Sequence, residues 1–176
     1  MIPSFEELAS RLSGKKIFSV LDLKDGYWQV GLGEQTSRLC TFSTPFGCYK
    51  FLRLPFGIKV APELFQKFNE KNFEGISGVS VYIDDVLIAA DNIDEHNNIM
   101  KKVIKRAISL NIKFNASKLQ YCVNKVKYLG HIIYENGIEC DPDRVIAINK
   151  IEQPKNKKDL QKLLGLVNYV RKYIPN

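Results

Sequence analysis

The sequence has no long hydrophobic run, few cysteines and no internal repeats, and each absence argues against a class of protein. No apolar stretch approaches the ~20 residues of a membrane-spanning helix, so we expect no membrane partner. The N-terminal residues lack the basic start and apolar segment expected of a signal peptide. The four cysteines, Cys40, Cys48, Cys122 and Cys140, show no Cys-x-x-Cys spacing and no accompanying histidine pattern. We therefore expect free thiols in a reducing compartment, neither zinc ligands nor a disulfide framework.

The composition is that of a globular protein with an uneven distribution of charge. The 176 residues, 45% of them hydrophobic, can form one domain, or one domain and part of a second. Residues 1–100 carry 10 Lys and Arg against 13 Asp and Glu, whereas residues 101–176 carry 16 against 6. A basic half beside an acidic half indicates a polyanionic partner. Lysines that only keep the surface soluble would explain the excess equally well.

Residues 79–90 are the most informative stretch, because two apolar runs flank the adjacent carboxylates Asp84 and Asp85. The pattern predicts a strand, an acidic turn and a second strand. Two-residue turns favour glycine because one or both positions need a positive φ, and this pair supplies none. It also places two like charges side by side, which raises a pKa unless a cation intervenes. We interpret this double departure as functional; a solvated acidic turn is the alternative.

A third carboxylate, Asp22, follows a predicted buried strand. Residues 17–21 read Ile-Phe-Ser-Val-Leu, and residues 23–28 form a predicted tight turn. A strand end holds a side chain rigidly, which suits a metal ligand. The alternative is an aspartate that caps the N-terminus of a helix.

The rest of the chain alternates between short strands and amphipathic helices. Helices are predicted to begin in the capping box at residues 4–7 and at Ala61, Asn92, Asp141 and Lys157. Strands are predicted at residues 39–43, 48–52, 126–134 and 138–140, with residues 113–121 as loop or short extended structure. Antiparallel strands with helices on one side predict the α+β class.

Helical spacing also predicts which side chains face the core. The predicted inward positions are Phe5, Leu8, Leu12, Leu64, Phe65, Phe68, Phe73, Ile99, Val103, Ile104 and Ile108, and Leu160, Leu163, Leu164 and Val167 in the last helix. His96 is a lone helical histidine, and we expect it at the surface and not as a metal ligand.

The three aspartates indicate a class of chemistry. If their strands are neighbours, the carboxylates converge into a set of hard oxygen donors, which suits Mg²⁺. Two such ions about 3.5–4 Å apart stabilise both the attacking and the leaving oxygen in phosphoryl displacement. Spacing and composition lead to two-metal nucleotidyl transfer or a nuclease, and leave both open.

Several motifs together resemble the reverse transcriptase of long-terminal-repeat retrotransposons of the gypsy-like group, and less closely that of retroviruses. In chain order, the matching segments are residues 18–27 (first palm motif), 42–47 and 54–62 (second palm motif), 82–85 (Tyr-Ile-Asp-Asp, a Tyr-x-Asp-Asp motif), 127–131 (primer-grip strand) and 160–175 (the segment after the palm). The resemblance covers nearly the whole chain. It implies a polymerase palm with partial fingers over residues 1–140 and the start of a thumb or connection over residues 141–176.

The resemblance implies a role for each matching residue. Asp22, Asp84 and Asp85 would be the catalytic carboxylates that bind two Mg²⁺ ions, with Mn²⁺ as a substitute. Nucleotide contacts are implied for Asp25 and Gly26 through their backbone N–H groups, and for Tyr27, Phe56, Gly57 and Ile83. Primer contacts are implied for Tyr128, Leu129, Gly130 and His131, with Lys113 and Lys118 as further candidates. Tyr27 would reject a 2′-hydroxyl by steric clash; a core aromatic is the alternative.

The implied partners are an RNA or DNA template, a DNA or tRNA primer and deoxynucleoside triphosphates. The resemblance also implies a longer polyprotein with protease, RNase H and integrase domains, located inside the cell in a cytoplasmic retroelement particle or the nucleus. We expect the earlier part of the fingers and most of the thumb to be missing from this chain. A captured retroelement fragment that only binds nucleic acid or protein is the non-enzymatic alternative.

Overall fold

The computed structural model describes residue 3, residues 5–151 and residues 153–173. The helices are α1 Phe5–Leu12, α2 Glu34–Leu39, α3 Ala61–Phe73, α4 Ile93–Ser109, α5 Pro142–Asn149 and α6 Lys157–Val170. The strands are β1 Ile17–Asp22, β2 Thr41–Thr44, β3 Gly47–Lys50, β4 Val79–Tyr82, β5 Asp85–Ala90, β6 Gln120–Val123, β7 Lys125–Tyr128, β8 His131–Tyr134 and β9 Gly137–Cys140. Short 3₁₀ helices cover Gly26–Gln29, Ala116–Lys118 and Arg171–Tyr173.

A four-stranded antiparallel sheet with the order β4-β5-β1-β6 forms the centre of the fold. Its middle strands β1 and β5 read as continuous apolar runs because both of their faces are covered. Two smaller antiparallel sheets accompany it, the hairpin β2-β3 and the meander β7-β8-β9. This architecture confirms the predicted α+β class.

Alternation along the central strands sends side chains into two separate cores. On one face, α3 and α4 pack against Leu21, Val86 and Ile88. On the other face, α1 and the β7-β8-β9 sheet pack against Phe18 and Leu87. The carboxylate-bearing ends of β1 and β5 are therefore fixed by packing on both sides of the sheet.

Several predicted elements differ from the structure. The first strand of the β2-β3 hairpin begins at Thr41, because residues 34–39 form the unpredicted helix α2. Leu64 is exposed, because α3 turns Phe65 and two amide side chains inward in its place. Ile104 and Ile108 are also exposed, whereas Ile99 and Val103 are buried as predicted.

The strand predicted over residues 126–134 is two strands joined by a tight turn. Leu129 and Gly130 both have positive φ, 51° and 78°, as a type I′ turn requires. Leucine is rarely found at such a position, so Gly130 alone signals a turn in that stretch of the sequence. The last predicted helix, α6, ends at Val170 and is followed by a 3₁₀ turn. Leu160, Leu164 and Val167, which were predicted to face the core, are exposed on it.

His96 is buried, and the prediction of a surface position was wrong. Its Nε2 lies 2.8 Å from Ser19 Oγ, which also accepts a hydrogen bond from the Cys122 backbone N–H. This polar link joins α4, β1 and β6 within the core.

Three further expectations concern the N-terminal capping box, the cysteines and membrane-spanning helices. The capping box at residues 4–7 includes residue 4, which lies outside the described residues. All four cysteines are free thiols, as predicted. Across the described helices, none combines the length and the apolar character that crossing a membrane demands.

Candidate active site

The structure places Asp22 and Asp85 directly opposite each other on neighbouring strands. They form the last pair in the β1-β5 register, after Leu21 and Val86. Because opposite residues of an antiparallel pair share one sheet face, their carboxyl groups point to the same side. Asp84 lies in the turn just before β5, and its carbonyl accepts a hydrogen bond from Leu23 N–H at 2.7 Å. The predicted neighbourhood of the three aspartates is therefore confirmed.

The three carboxylates form an unfavourable electrostatic group that one lysine partly neutralises. Burial, then Asp22 and Asp84, raises the pKa of Asp85 to about 6. Burial and Asp22 also raise the pKa of Asp84. Lys118 Nζ donates to Asp22 Oδ2 at 3.0 Å, and this contact raises the pKa of the lysine. A second cation at this edge of the sheet would relieve charge that Lys118 leaves unbalanced.

The donor set fits a divalent cation in its chemistry. Asp84 Oδ1 is buried and, over the described residues, has no hydrogen-bond partner. A Cβ at Gly26 would lie 3.1 Å from that oxygen, so the glycine leaves space beside it. Carboxylate oxygens are the ligands that Mg²⁺ prefers. Over the same residues, however, no three His, Cys, Asp or Glu side chains already form a group that could hold a metal ion.

The backbone strain expected at the acidic pair lies one residue earlier. The two turn residues are Ile83 and Asp84, and Asp85 already belongs to β5. Ile83 has a φ of 49°, a left-handed conformation that is rare for a β-branched residue. Its backbone groups are held by Gln66 and Asn69 of α3. Sequence reasoning missed both amides because it followed only the apolar stripe of that helix.

The predicted nucleotide residues lie around the turn that follows β1. Asp25 and Gly26 have positive φ, 62° and 42°; Asp25 precedes the 3₁₀ helix that contains Tyr27, and Gly26 is its first residue. The Tyr27 ring centroid lies 5.1 Å from Phe56 and 5.2 Å from Phe65. Burial and the Asp84 carboxylate raise the Tyr27 pKa. The aromatic cluster of Tyr27, Phe56 and Phe65 therefore lies beside the carboxylates and belongs to the same candidate site.

The neighbouring residues Phe56, Gly57 and Ile83 differ in exposure. Phe56 is 64% exposed, and its ring also lies 6.0 Å from that of Trp28. Gly57 has a φ of 87°, which a glycine adopts readily. Ile83 is partly buried against the α3-α4 core. An exposed aromatic beside a turn leaves an open surface on which a base could stack.

A loop that carries Lys113 and Lys118 is fastened to the same turn. The Gln29 side chain donates to Lys113 O at 2.9 Å and accepts from Lys113 N–H at 3.0 Å. Asn115 N–H donates to Asp22 O at 2.8 Å. These contacts place the Lys118 side chain against Asp22. The turn contacts Lys113 through its backbone groups. Gln29 was not among the predicted site residues.

The predicted primer residues form the β7-β8 turn, which lies beneath the C-terminal helices. The side chains of Tyr128 and His131 are buried. Leu129 O accepts a hydrogen bond from Tyr169 Oη at 2.9 Å. A primer contact by these residues stays a prediction, and with both ring side chains turned inward it would involve the backbone of the turn.

Comparison with known proteins gives this geometry a family. A sequence model described as reverse transcriptase (RNA-dependent DNA polymerase) matches residues 2–133. The chain belongs to the reverse transcriptase family. It is 35% identical over 175 residues to the retrovirus-related Pol polyprotein from transposon opus of Drosophila melanogaster, covering 98% of this chain and 17% of that protein. It is 32% identical over 176 residues to the transposon Tf2-7 polyprotein of Schizosaccharomyces pombe, covering 99% and 13%.

Solved reverse transcriptases have the same fold. A foamy viral protease-reverse transcriptase in complex with double-stranded DNA superimposes with a TM-score of 0.92 at 27% identity, over 100% of this chain and 31% of that one. The foamy viral enzyme in complex with an RNA/DNA hybrid gives 0.88 at 26% identity, over 97% and 23%. The chain thus spans less than a fifth of the curated polyproteins it matches.

Proposed function

We propose that this chain is the palm-centred catalytic part of an RNA-directed DNA polymerase, which adds deoxynucleotides to a primer 3′ end on an RNA or DNA template. The observation that carries the proposal is the Asp22–Asp85 pair on one sheet face, with Asp84 beside it. A solvated acidic turn would need none of this pairing. Membership of the family makes polymerisation the reaction to test first.

Asp22, Asp84 and Asp85 would hold the two divalent ions, Mg²⁺ or Mn²⁺. When bound, these ions supply Lewis-acid activation of the 3′-hydroxyl and charge neutralisation at the leaving pyrophosphate. The protein itself contributes position and electrostatics. The N–H groups of Asp25 and Gly26 bind phosphate oxygens, and Tyr27 supports the deoxyribose and excludes a 2′-hydroxyl.

The proposed partners follow from the charge and from the family. Template and primer are polyanions, which the basic half of the chain, residues 101–176, would attract. The curated relatives are named polyproteins, and we propose that this chain likewise functions beside protease, RNase H and integrase domains. We further propose that residues 1–140 form the palm with partial fingers, and that residues 141–176 begin the following domain.

Primer extension on poly(rA)/oligo(dT) with Mg²⁺ tests the proposal. We expect wild-type protein to lengthen the primer and Asp84→Asn to reduce the rate by about 10³-fold or more, because one of three acidic donors loses its charge. Template binding should persist in the variant, since Asp84 contacts no template in this assignment.

Two results would favour the other hypotheses. Template binding without extension by the wild-type chain would identify a non-catalytic binding module. Shortening of the primer in place of growth would identify a two-metal nuclease.

A further inference from the structure

Two buried amide side chains of α3 contact the backbone of the β4-β5 turn. Gln66 and Asn69 are each only 1% exposed. Gln66 Oε1 accepts from Ile83 N–H at 2.6 Å, and its Nε2 donates to Val81 O at 2.9 Å. Asn69 Nδ2 donates to Ile83 O at 2.9 Å. Both polar backbone groups of Ile83 are thus bonded by side chains.

These contacts also fix which end of the Gln66 amide faces the turn. Its Nε2 donates a second hydrogen bond to Glu70 Oε1 at 2.8 Å, so both amide protons are used. The opposite orientation would place the NH₂ group against the Ile83 N–H and the oxygen against two acceptors. The side chain therefore has one satisfactory orientation, which complements the peptide groups on either side of Tyr82.

The held residue is the strained one. Ile83 has a φ of 49°, where its branched side chain is disfavoured. Its N–H and C=O cannot join the β4-β5 ladder, whose last pair is Tyr82 with Asp85. Without the two amides, the turn would relax toward a conformation that solvent can satisfy.

Asp84 and Asp85 follow Ile83 directly, so its dihedral angles set the direction in which both carboxylates leave the turn. We propose that Gln66 and Asn69 are positioning residues, which hold Ile83 in its left-handed conformation and thereby aim Asp84 and Asp85 at the site. The catalytic part of this inference rests on the proposed polymerase function. The structural part does not.

A test separates positioning from simple stabilisation. Gln66→Met and Asn69→Leu keep the volume and remove the hydrogen bonds. We expect kcat for primer extension to fall about 10- to 100-fold, as for a misplacement of about 1 Å, with the KM for template-primer unchanged. Asn72→Leu is the matched control, because Asn72 lies on the same helix and its side-chain Nδ2 is buried without a hydrogen-bond partner among the described residues.

Two measurements do not need activity. The Ile83 amide should exchange with solvent at least 10-fold faster in Gln66→Met but not in Asn72→Leu. Mn²⁺ binding by the same variants, followed by electron paramagnetic resonance, should weaken at least several-fold. If kcat, exchange and Mn²⁺ binding all stay at wild-type values in the folded variants, the inference is wrong.

A further variant covers the case in which Gln66→Met folds but is too unstable for kinetic measurements. Glycine at residue 83 tolerates the left-handed conformation, so Ile83→Gly should reduce the loss of melting temperature caused by Gln66→Met. An equal loss in both backgrounds would contradict a role in holding Ile83. Inactive wild-type protein would overturn the proposed polymerase function, while exchange, Mn²⁺ binding and this cycle would still decide the inference.

Discussion

Two tight turns in this protein each hold a bulky apolar residue in a left-handed conformation, and each is supported by a different part of the chain. The β4-β5 turn places Ile83 at a φ of 49°, and the β7-β8 turn places Leu129 at 51°. Both residues are bulky and apolar, and both have a carbonyl held by a helical side chain, Asn69 in one case and Tyr169 in the other. A left-handed apolar residue is thus stabilised from outside the turn each time.

The two turns differ in where the support comes from. Asn69 and Gln66 belong to α3, which packs on the central sheet and contacts the turn just before Asp85. Tyr169 belongs to α6, near the end of the described chain, and its neighbour Arg144 lies 4.3 Å from the Tyr169 ring centroid. The β4-β5 turn is therefore held by a helix that precedes it in the chain, whereas the β7-β8 turn is held by a residue of α6, which follows the last strand.

A stack of side chains explains how the second support is built. His131 packs between Phe5 at 4.0 Å and Tyr169 at 5.2 Å, measured between ring centroids. Tyr169 donates its hydroxyl proton to Leu129 O, so it accepts from His131 Nε2–H. Tyr173 contacts the other nitrogen, Nδ1. Elements from both ends of the chain meet at this one histidine.

Gly130→Ala should disrupt the β7-β8 turn and cause the largest loss of stability among these substitutions. A Cβ there would lie 2.6 Å from Tyr169 Oη and 2.7 Å from the Arg144 guanidinium, at a φ of 78°. We expect the free energy of unfolding to fall by about 2–4 kcal/mol in urea denaturation.

Gly75→Ala is the matched control for that change. Gly75 also has a φ of 78°, and its added Cβ would meet nothing within 4 Å. It should lose only the conformational part, about 1–2 kcal/mol. Equal losses in the two variants would show that the helices do not press on the second turn.

Asp85→Asn should reveal the effect of the charge that directly follows the β4-β5 turn. Because the folded pKa of Asp85 is raised to about 6 from 3.8, its contribution to stability is present below pH 4 and is lost as the pH rises through 6. Without divalent ions at pH 7, the variant should be more stable by ~1–2 kcal/mol, with allowance for partial exposure. The gain should vanish near pH 4, as thermal unfolding at several pH values would show.

The exposed carboxyl Glu74 provides the control for this experiment. Glu74→Gln should change stability by less than ~0.5 kcal/mol at either pH. A stability of Asp85→Asn that runs parallel to wild type from pH 4 to 7 would contradict the raised pKa. Primer extension by Asp85→Asn should nevertheless fall, because the carboxylate that strains the fold is proposed to serve the reaction.

Tyr169→Phe should sharpen the comparison most, because it changes the support of one turn and leaves the other untouched. It removes the hydrogen bonds to Leu129 O and His131 Nε2 and keeps the ring, so we expect a loss of about 1–2 kcal/mol. Amide hydrogen exchange should quicken at the β7-β8 turn and stay unchanged at Ile83. The control Tyr134→Phe removes a hydroxyl from β8 away from the turn, and quickening at Ile83 in Tyr169→Phe would refute the independence of the two turns.

The sequence predicted the site where chemistry and local pattern agree. Asp22, Asp84 and Asp85 stand at ends of apolar runs, so their placement followed once the strands were neighbours. Gln66 and Asn69 were missed because periodicity counts apolar residues, and a polar residue on an inward face gives no signal until the turn it meets is known.

Other differences arose from contacts between distant segments. His96 is buried because Ser19, 77 residues earlier, supplies a hydrogen bond in the core. The Leu129-Gly130 turn lacks an asparagine or aspartate, and Tyr169 of α6 holds it through the hydrogen bond to Leu129 O. Such supports depend on tertiary structure, which local propensity does not contain.

The Gln29 side chain has a mechanical consequence for the site. Its amide offers one donor and one acceptor to the backbone of Lys113, as a neighbouring peptide unit in a sheet would. Two backbone hydrogen bonds connect the same segments. Lys24 N–H donates to Lys113 O at 2.9 Å, and Asn115 N–H donates to Asp22 O at 2.8 Å. These hydrogen bonds join the turn that bears Tyr27 to the loop that bears Lys118. We therefore expect a displacement of Tyr27 to be accompanied by a displacement of the Lys118 ammonium group.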